Sequence, residues 1–248
     1  LVIRNLIKGR QQSDNEVELG GGEKLDNVIC WVNDLGLAGM ERLYGIPGTL
    51  AGALVGNAGA YGQQVSTVVL EVSFWSGDQV EVLTASDLDF AYRHSLFKTH
   101  REWFILSCRL GLTRSVESLQ DVSEEILSRR LEKYPVGLRC PGSFFKNIPL
   151  DETSQETLEK VPEDFIMFDK IPAGKLLEAV GANGIRRGDA QLASYHGNLI
   201  INLEQATSQD ILGLAQEYAE RVWERFSIRL EPEICILPES AWPKRSKQ

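Results

Sequence analysis

Glycine recurs six times between Gly45 and Gly62, and alanines lie between several of these glycines. Residues without a large side chain let the backbone approach a neighbour closely, and glycine reaches dihedral angles closed to other residues. Such a run suits either close packing of a helix on a sheet or a cradle for a pyrophosphate or a flat ring. The glycine spacing does not fit the dinucleotide-binding fingerprint, and the apolar stretch is too short to span a bilayer.

Composition narrows the class of protein. The 248 residues are 43% hydrophobic and 25% charged, which is typical of one large or two modest globular domains. A net charge of -9 provides no basic stripe for phosphates, so we expect no nucleic-acid partner. The four cysteines lack metal-ligand spacing and indicate reduced thiols of a cytoplasmic protein without a metal. No transmembrane segment is visible, and we expect a monomer that does not bind membranes.

Hydrophobic periodicity predicts two lobes joined by a linker. The first lobe, residues 1–135, is predicted to be α+β, with a helix over 23–35, a hairpin over 67–84, a strand over 103–112 and a helix capped by Ser123. A linker is expected from Pro135 to Pro141. The second lobe, residues 140–248, is predicted to contain a helix from Pro172, a strand over 197–203, a helix capped by Thr207 and Asp210, and a strand over 229–237.

Residues 142–147 read Gly-Ser-Phe-Phe-Lys-Asn and follow a turn signal at Pro141-Gly142. Ser143, Lys146 and Asn147 offer a hydroxyl, an ammonium and an amide, a set that suits an anionic polar small molecule. We expect them to leave a loop and enter a strand. Taken alone, the segment fits an ordinary turn and strand, with one phenylalanine in the core, better than it fits a ligand site.

Five motifs, in a fixed order along the chain, carry a resemblance to a known family. They are Gly45-Ile-Pro-Gly-Thr49, Asn57-Ala-Gly-Ala-Tyr-Gly62, Tyr92-Arg-His-Ser95, Gly142-Ser-Phe-Phe-Lys-Asn147 and Leu230-Glu-Pro-Glu233. With these motifs the chain resembles UDP-N-acetylenolpyruvoylglucosamine reductase, in the subgroup that lacks a long tyrosine-bearing loop. Ordered motifs spread over nearly the whole chain are far more specific than any one of them.

The resemblance implies an α+β fold, with a FAD-binding lobe over residues 1–135 followed by an α/β substrate-binding domain over 140–248. It also implies non-covalent FAD and NADPH as the hydride donor. The implied substrate is the enolpyruvyl ether of UDP-N-acetylglucosamine, which becomes UDP-N-acetylmuramate for peptidoglycan. The family has a further N-terminal lobe with a glycine-rich pyrophosphate loop, which Gly20-Gly-Gly-Glu23 does not match. We therefore expect the chain to be a fragment of a longer polypeptide.

The resemblance also assigns roles to residues at matching positions. Arg93 would face the substrate carboxylate, because a guanidinium matches a carboxylate in a fork and stays charged. Ser143 matches the family's proton donor, and Glu233 matches a glutamate that would assist if it were held protonated or hydrogen-bonded. The residues expected to bind the cofactor are Gly45, Ile46, Pro47, Gly48, Thr49, Gly52, Asn57, Ala58, Gly59, Ala60, Tyr61, Gly62 and Arg93.

For the substrate diphosphate, Arg130 and Lys133 lie three residues apart on one predicted helix face and match a basic pair of the family. Lys146 and Asn147 would add contacts. Each assignment has an ordinary alternative: a surface ion pair for Arg93, a solvated strand edge for Glu233 and a charged helix end for the basic pair.

Between residues 184 and 202 the chain keeps most of the family's residues, including His196 and Asn198. It has Ala193 where the family often has Ser, and Tyr195 where it often has Lys.

Two other functions stay open. One is a different FAD-linked oxidoreductase of the same architecture, which explains the glycine run but not the catalytic set as a whole. The other is a catalytically idle protein that binds nucleotide sugars. A yellow colour with flavin absorbance in the purified protein favours an enzyme, and a colourless protein that takes up no FAD favours the idle binder.

Overall fold

The computed structural model describes residues 4–242. Its contacts divide the chain into two compact units, Leu1–Glu132 and Lys133–Gln248. The boundary between the two units lies close to residue 135, where the first lobe was predicted to end. The cofactor-binding role of the first lobe and the substrate-binding role of the second remain predictions. Within the described residues, no helix combines the length and the apolar character that a membrane crossing requires.

A five-stranded antiparallel sheet is the centre of the first unit. The strands of this unit are β1 (Arg10–Ser13), β2 (Glu16–Gly20), β3 (Leu37–Ala38), β4 (Gly59–Ala60), β5 (Gln63–Gln64), β6 (Val69–Trp75), β7 (Val80–Thr84), β8 (Phe104–Gly111) and β9 (Thr113–Arg114). Its α-helices are α1 (Leu25–Asp34), α2 (Leu50–Val55), α3 (Leu96–Thr99) and α4 (Leu119–Lys133), and 3-10 turns span Glu41–Leu43, Val65–Thr67 and Ala85–Asp87. The sheet order is β1-β2-β8-β6-β7, while β3 pairs with β9 and β4 with β5.

Three predicted elements of this unit are confirmed. Helix α1 buries Leu25, Val28, Ile29 and Val32, which recur at helical spacing and pack into the core against the sheet. The predicted hairpin is formed by β6 and β7, and the predicted strand over 103–112 is β8. These elements were predictable because hydrophobic spacing and short turns are local signals.

The glycines that precede α1 are explained by close backbone packing. A Cβ at Gly20 would lie 2.6 Å from the carbonyl oxygen of Ile7, and one at Gly22 would lie 2.7 Å from the Ile7 nitrogen. Two backbone hydrogen bonds join the segments, from Gly20 to the Gly9 carbonyl at 2.9 Å and from Gly22 to the Ile7 carbonyl at 2.8 Å. Only glycine lets the two stretches of backbone lie this close.

The start predicted for α4 is wrong. The helix begins at Leu119, and the Ser118 hydroxyl accepts the Asp121 N–H at 3.4 Å. Ser123, the predicted cap, lies buried inside the helix, where its hydroxyl accepts from the Asn33 amide at 2.9 Å and donates to the Glu41 carbonyl at 3.0 Å. Both partners are distant in sequence, so no local pattern separates this buried hydroxyl from a cap.

The second unit is a three-stranded antiparallel sheet, β12-β13-β14, covered by helices. Its strands are β10 (Ile148–Pro149), β11 (Lys170–Ile171), β12 (Arg186–Arg187), β13 (Ala190–Ala193) and β14 (His196–Asn202). Its helices are α5 (Gln155–Leu158), α6 (Ala173–Ala179) and α7 (Ser208–Phe226), with 3-10 turns at Leu150–Glu152, Glu163–Phe165 and Glu239–Ala241. Helix α6 packs on β14 and α7 on β13, and β10 pairs with β11.

The capping box predicted for α7 is confirmed. The Thr207 hydroxyl accepts the Asp210 N–H at 3.1 Å, and the Asp210 carboxylate accepts the Thr207 N–H at 2.9 Å. The helix then buries Ala215, Tyr218 and Val222 at helical spacing. Pro172 immediately precedes α6, and β14 matches the strand predicted over 197–203.

The strand predicted over 229–237 is not formed. The segment makes a single isolated bridge, between Pro232 and Phe145. Two backbone hydrogen bonds flank this bridge, from the Lys146 N–H to the Glu231 carbonyl at 2.9 Å and from the Glu233 N–H to the Phe144 carbonyl at 2.8 Å. Ser143 likewise makes only an isolated bridge, to Leu199. Residues 143–147 were expected to enter a strand, but the strand β10 begins only at Ile148, so this prediction is also wrong.

Candidate active site

The glycine run contains both packed glycines and glycines that face open space. Gly48 has a φ of +127° and Gly62 a φ of +80°, and a Cβ built on either one meets no atom within 4 Å. These two positions therefore face open space. A Cβ at Gly45, by contrast, would lie 3.0 Å from Leu127 and 3.2 Å from Arg130. Gly45 is a packing glycine, whereas Gly48 and Gly62 line an open surface.

Helix α2 begins within the run. The Thr49 hydroxyl accepts the Gly52 N–H at 3.2 Å and so caps the first turn. The run is also joined to the start of α1, because the Leu25 N–H donates to the Gly48 carbonyl at 3.1 Å. Hydrogen bonds within the protein therefore hold the backbone from Gly48 to Gly52 in place without a ligand.

The second half of the run is held by one buried amide. Asn57 is 2% exposed and has a φ of +42°, in the left-handed region that asparagine tolerates. Its side chain donates to the Ala91 carbonyl at 2.9 Å and accepts the Ser66 N–H at 3.2 Å. Asn57 thus joins the run to the Tyr92–Ser95 motif, a structural task that the sequence alone did not reveal.

Two more side chains connect this motif to the glycine run. The buried Ser95 hydroxyl donates to the Val55 carbonyl at 2.8 Å, and the Arg93 guanidinium donates to the Gly59 carbonyl at 3.1 Å. The backbone of Arg93 has a φ of +54°, and its carbonyl accepts from the Lys98 ammonium at 2.6 Å. The structure therefore brings Arg93 to the glycine run, while its two assigned roles remain predictions.

These residues fit a flavin nucleotide. The backbone at Gly48 and at Gly62 is open to a ligand, because a Cβ at either position would meet no atom within 4 Å. Arg93 adds a permanent positive charge beside Gly59, which suits an anionic ligand. Arg130 lies against Gly45, so a residue predicted to bind the substrate contacts the predicted cofactor run. Whether Arg130 reaches a ligand remains a prediction.

In the second unit, the segment that carries Ser143 is held on both sides. The Phe144 N–H donates to the Asn198 carbonyl at 2.9 Å, and the Phe144 carbonyl accepts the Glu233 N–H at 2.8 Å. The Asn198 side chain closes the arrangement by exchanging two hydrogen bonds of 2.8 Å with the backbone of Phe145. Ser143 and Glu233 therefore lie on neighbouring stretches of one buried framework.

Two predicted substrate residues make contacts inside this unit. The Lys146 ammonium lies 3.2 Å from the Glu231 carboxylate. The Lys146 side chain is partly exposed and the Glu231 side chain is largely exposed, so solvent reaches this ion pair. The Asn147 side-chain oxygen accepts the Ala173 N–H at 3.2 Å, which satisfies the first turn of α6. Asn147 thus has a structural task as well as its predicted one.

Tyr134, which lies next to Ser143, was missed by the sequence analysis. The Tyr134 hydroxyl lies 3.4 Å from the Ser143 hydroxyl, and the Lys133 ammonium lies 5.2 Å from the centre of the Tyr134 ring. The Tyr195 hydroxyl donates to the Lys133 carbonyl at 3.2 Å, and burial raises the pKa of that tyrosine. The two residues are nine positions apart and do not share a helix or a strand, so no hydrophobic or polar periodicity links Tyr134 to Ser143.

His196 belongs to the same neighbourhood. Burial and, secondarily, the positive charge of Lys133 lower the pKa of His196 to about 4. Its Nδ1 accepts the Asn198 N–H at 3.1 Å, which places the ring proton of the neutral imidazole on Nε2. The imidazole is therefore neutral at physiological pH.

Comparison with known proteins gives one family throughout. Residues 134–237 match the family described as UDP-N-acetylenolpyruvoylglucosamine reductase, C-terminal domain. A relative named UDP-N-acetylenolpyruvoylglucosamine reductase, from Solibacter usitatus, is 38% identical over 235 residues, which cover 94% of this chain and 75% of the relative. A relative of that name from Pseudothermotoga lettingae is 35% identical over 224 residues, which cover 90% of this chain and 72% of the relative. The crystal structure of UDP-N-acetylenolpyruvylglucosamine reductase from Thermus caldophilus superposes with a TM-score of 0.69 at 28% identity, covering 92% of this chain and 75% of that chain.

Proposed function

Because the chain belongs to the UDP-N-acetylenolpyruvoylglucosamine reductase family, we propose that its first unit supplies flavin contacts and that its second unit delivers the proton. The family and the α+β fold class predicted from the five motifs are thereby confirmed. The chain is an NADPH-dependent flavoprotein reductase that forms UDP-N-acetylmuramate for peptidoglycan synthesis. The chemistry that bound FAD supplies is the relay of a hydride from NADPH to C3 of the enolpyruvyl ether.

The glycine run of the first unit holds the flavin nucleotide. Gly48 and Gly62 provide open backbone, while Thr49 and Asn57 maintain the shape of the run. The other assigned contacts come from Gly45, Ile46, Pro47, Gly52, Ala58, Gly59, Ala60 and Tyr61. Since the cradle is preformed, little conformational entropy is lost when the ligand binds.

Arg93 binds the substrate carboxylate. Addition of hydride at C3 leaves an electron pair on C2 as an enol conjugated with the carboxylate, so negative charge grows there. A guanidinium fixed beside that charge stabilises it without having to reorient. The hydrogen bond to the Gly59 carbonyl supports this assignment, because it holds the guanidinium in a set direction.

Ser143 donates the proton to C2, and Glu233 assists through a hydrogen bond to the enol. The observation that carries this proposal is the framework around Phe144, whose N–H and carbonyl are bonded to Asn198 and Glu233. The framework fixes the backbone on which Ser143 is placed, and it keeps the Glu233 backbone beside it. Fixed groups of this kind act as acids without a reorganisation cost during the reaction.

The substrate diphosphate is assigned to a few local groups, namely Arg130, Lys133, Lys146 and Asn147. A net charge of -9 means that the overall field repels an anion, so recognition depends on these nearby donors. We place the enzyme in the cytoplasm as a monomer. The four free cysteines support a reducing compartment, and sedimentation of the purified protein tests the monomer.

Replacing Ser143 by alanine tests the proposal. FAD content and flavin reduction by NADPH should stay near normal, whereas reoxidation by the substrate should fall by roughly two to four orders of magnitude. Ser143→Cys should recover part of the rate, because a thiol is the better proton donor. Ser154→Ala is a matched control, since it removes a helix-capping hydroxyl from the same unit. Reoxidation of Ser143→Ala at the wild-type rate would overturn the assignment.

A further inference from the structure

Tyr134 shares one neighbour, Leu199, with Ser143. Its ring packs against a buried group formed by Ala193, Leu199 and Ile201. Ser143 pairs with Leu199 through an isolated backbone bridge. The 3.4 Å separation of the two hydroxyl groups is therefore set by β14, which holds both residues.

The Lys133 side chain and backbone are both held beside Tyr134. The Lys133 ammonium lies 5.2 Å from the ring centre, and the Lys133 carbonyl is held by the Tyr195 hydroxyl at 3.2 Å. The backbone at Lys133 is thus fixed by a bond independent of Tyr134.

A serine hydroxyl is a poor proton donor on its own, and a neighbouring phenol can assist it. An aliphatic hydroxyl is a weak acid, so its oxygen becomes an unfavourable alkoxide as the proton moves to carbon. A phenol is a stronger acid than an alcohol, and it can donate a hydrogen bond to that oxygen as charge develops.

On the basis of the proposed function, we propose that Tyr134 is a positioning residue that donates a hydrogen bond to Ser143 and then restores its proton. In this step the Ser143 O–H bond breaks and a C2–H bond forms with the electron pair left by the hydride. The Ser143 oxygen takes the phenolic proton of Tyr134, and the phenolate regains a proton from solvent. No oxidant or reductant beyond NADPH is required.

The variant Tyr134→Phe tests this role in the FAD-loaded full-length protein, since it removes the hydroxyl and keeps the ring. Reoxidation by substrate should slow by about tenfold to a hundredfold, the effect of losing one hydrogen bond to a charged group. The melting temperature, the substrate dissociation constant and flavin reduction by NADPH should not change. Tyr218→Phe, which removes a buried hydroxyl from α7, is the matched control.

A second pair of variants separates a chemical role from a structural one. In the Ser143→Cys background, Tyr134→Phe should cost less, because a thiol needs less help to lose its proton. Wild-type reoxidation in Tyr134→Phe, or an equal loss in both backgrounds, would overturn the inference and leave the role of Ser143 standing. Full activity in Ser143→Ala would instead overturn the proposed proton donor itself.

Discussion

The Arg93 guanidinium donates a hydrogen bond to the Gly59 carbonyl at 3.1 Å and so joins two motifs 34 residues apart. The backbone of Arg93 has a φ of +54°, and the Lys98 ammonium contacts its carbonyl at 2.6 Å. Side chain and main chain are thus held by separate partners. A charge fixed before any ligand arrives is what electrostatic catalysis requires.

Arg93→Lys should not be a conservative change. Lysine keeps the charge but loses the planar fork that contacts Gly59 and matches a carboxylate. Reoxidation of the reduced flavin by the substrate should slow by roughly tenfold or more, the cost of one charge-assisted hydrogen bond. Reduction by NADPH should remain near normal, and stopped-flow absorbance separates the two half-reactions.

Arg114→Lys is the control for this variant, because Arg114 also donates to a backbone carbonyl, that of Leu35 at 3.0 Å. The control should affect neither half-reaction. Equal slowing of both half-reactions in Arg93→Lys would show that Arg93 serves the flavin or the fold rather than the substrate.

Gly48→Ala should weaken FAD binding more than it weakens the fold. Gly48 and Gly77 have nearly the same backbone, with φ of +127° and +123°, and neither has an atom near its missing Cβ. An alanine at either position should therefore lower stability by a similar amount, roughly 1–3 kcal/mol. Only the Gly48 methyl enters the proposed cradle, so only that variant should lose flavin affinity.

Titration of the apoproteins with FAD, followed by flavin fluorescence, measures this difference, and thermal melts of the same samples report stability. Equal FAD affinity in Gly48→Ala and Gly77→Ala would remove Gly48 from the cradle. Flavin should also separate from the denatured protein, because the proposed attachment is non-covalent.

Asn57→Ala should destabilise the first unit by roughly 2–4 kcal/mol. The change removes the Asn57 hydrogen bonds to the Ala91 carbonyl and from the Ser66 N–H, and each lost hydrogen bond costs about 0.5–1.5 kcal/mol. Alanine also tolerates the φ of +42° poorly. Denaturant unfolding measures the effect.

Asn15→Ala is the control for Asn57, because it removes an exposed asparagine that accepts one hydrogen bond from Arg114. It should change stability by less than about 1 kcal/mol. If the two variants lose the same stability, the amide of Asn57 does not hold the loops together.

His196 should make the folded protein sensitive to mild acid. Its pKa is lowered from 6.5 to about 4, so between these values the unfolded chain binds a proton that the folded one does not. Stability from this group is present above pH 6.5 and is lost as pH falls towards 4, by at most about 1.4 kcal/mol per pH unit.

His196→Gln should flatten that part of the stability curve relative to the wild-type protein. Denaturant unfolding at several pH values measures the difference between the proteins. An unchanged acid slope in His196→Gln would assign the loss to other groups.

Much of the fold was predictable because its signals are local. The hydrophobic face of α1 depends on residues within one short helix, and the capping box of α7 depends on two residues three positions apart. The error at Ser123 arose because distant partners, Asn33 and Glu41, decided the outcome. The segment over 229–237 pairs only at the bridge between Pro232 and Phe145. The motifs located Arg93 and Ser143, but the tasks of Asn57 and Tyr134 depend on contacts that no spacing reveals.

The framework around Ser143 also orders events in time. It closes only after Asn198 bonds to Phe145, 53 residues away, and Glu231 bonds to Lys146, 85 residues away. Two contacts that join the glycine run to the segment around Tyr92–Ser95 span fewer residues, 34 from Asn57 to Ala91 and 40 from Ser95 to Val55. Because longer loops close more slowly, a refolding chain should acquire the ability to take up flavin before it can reduce its substrate.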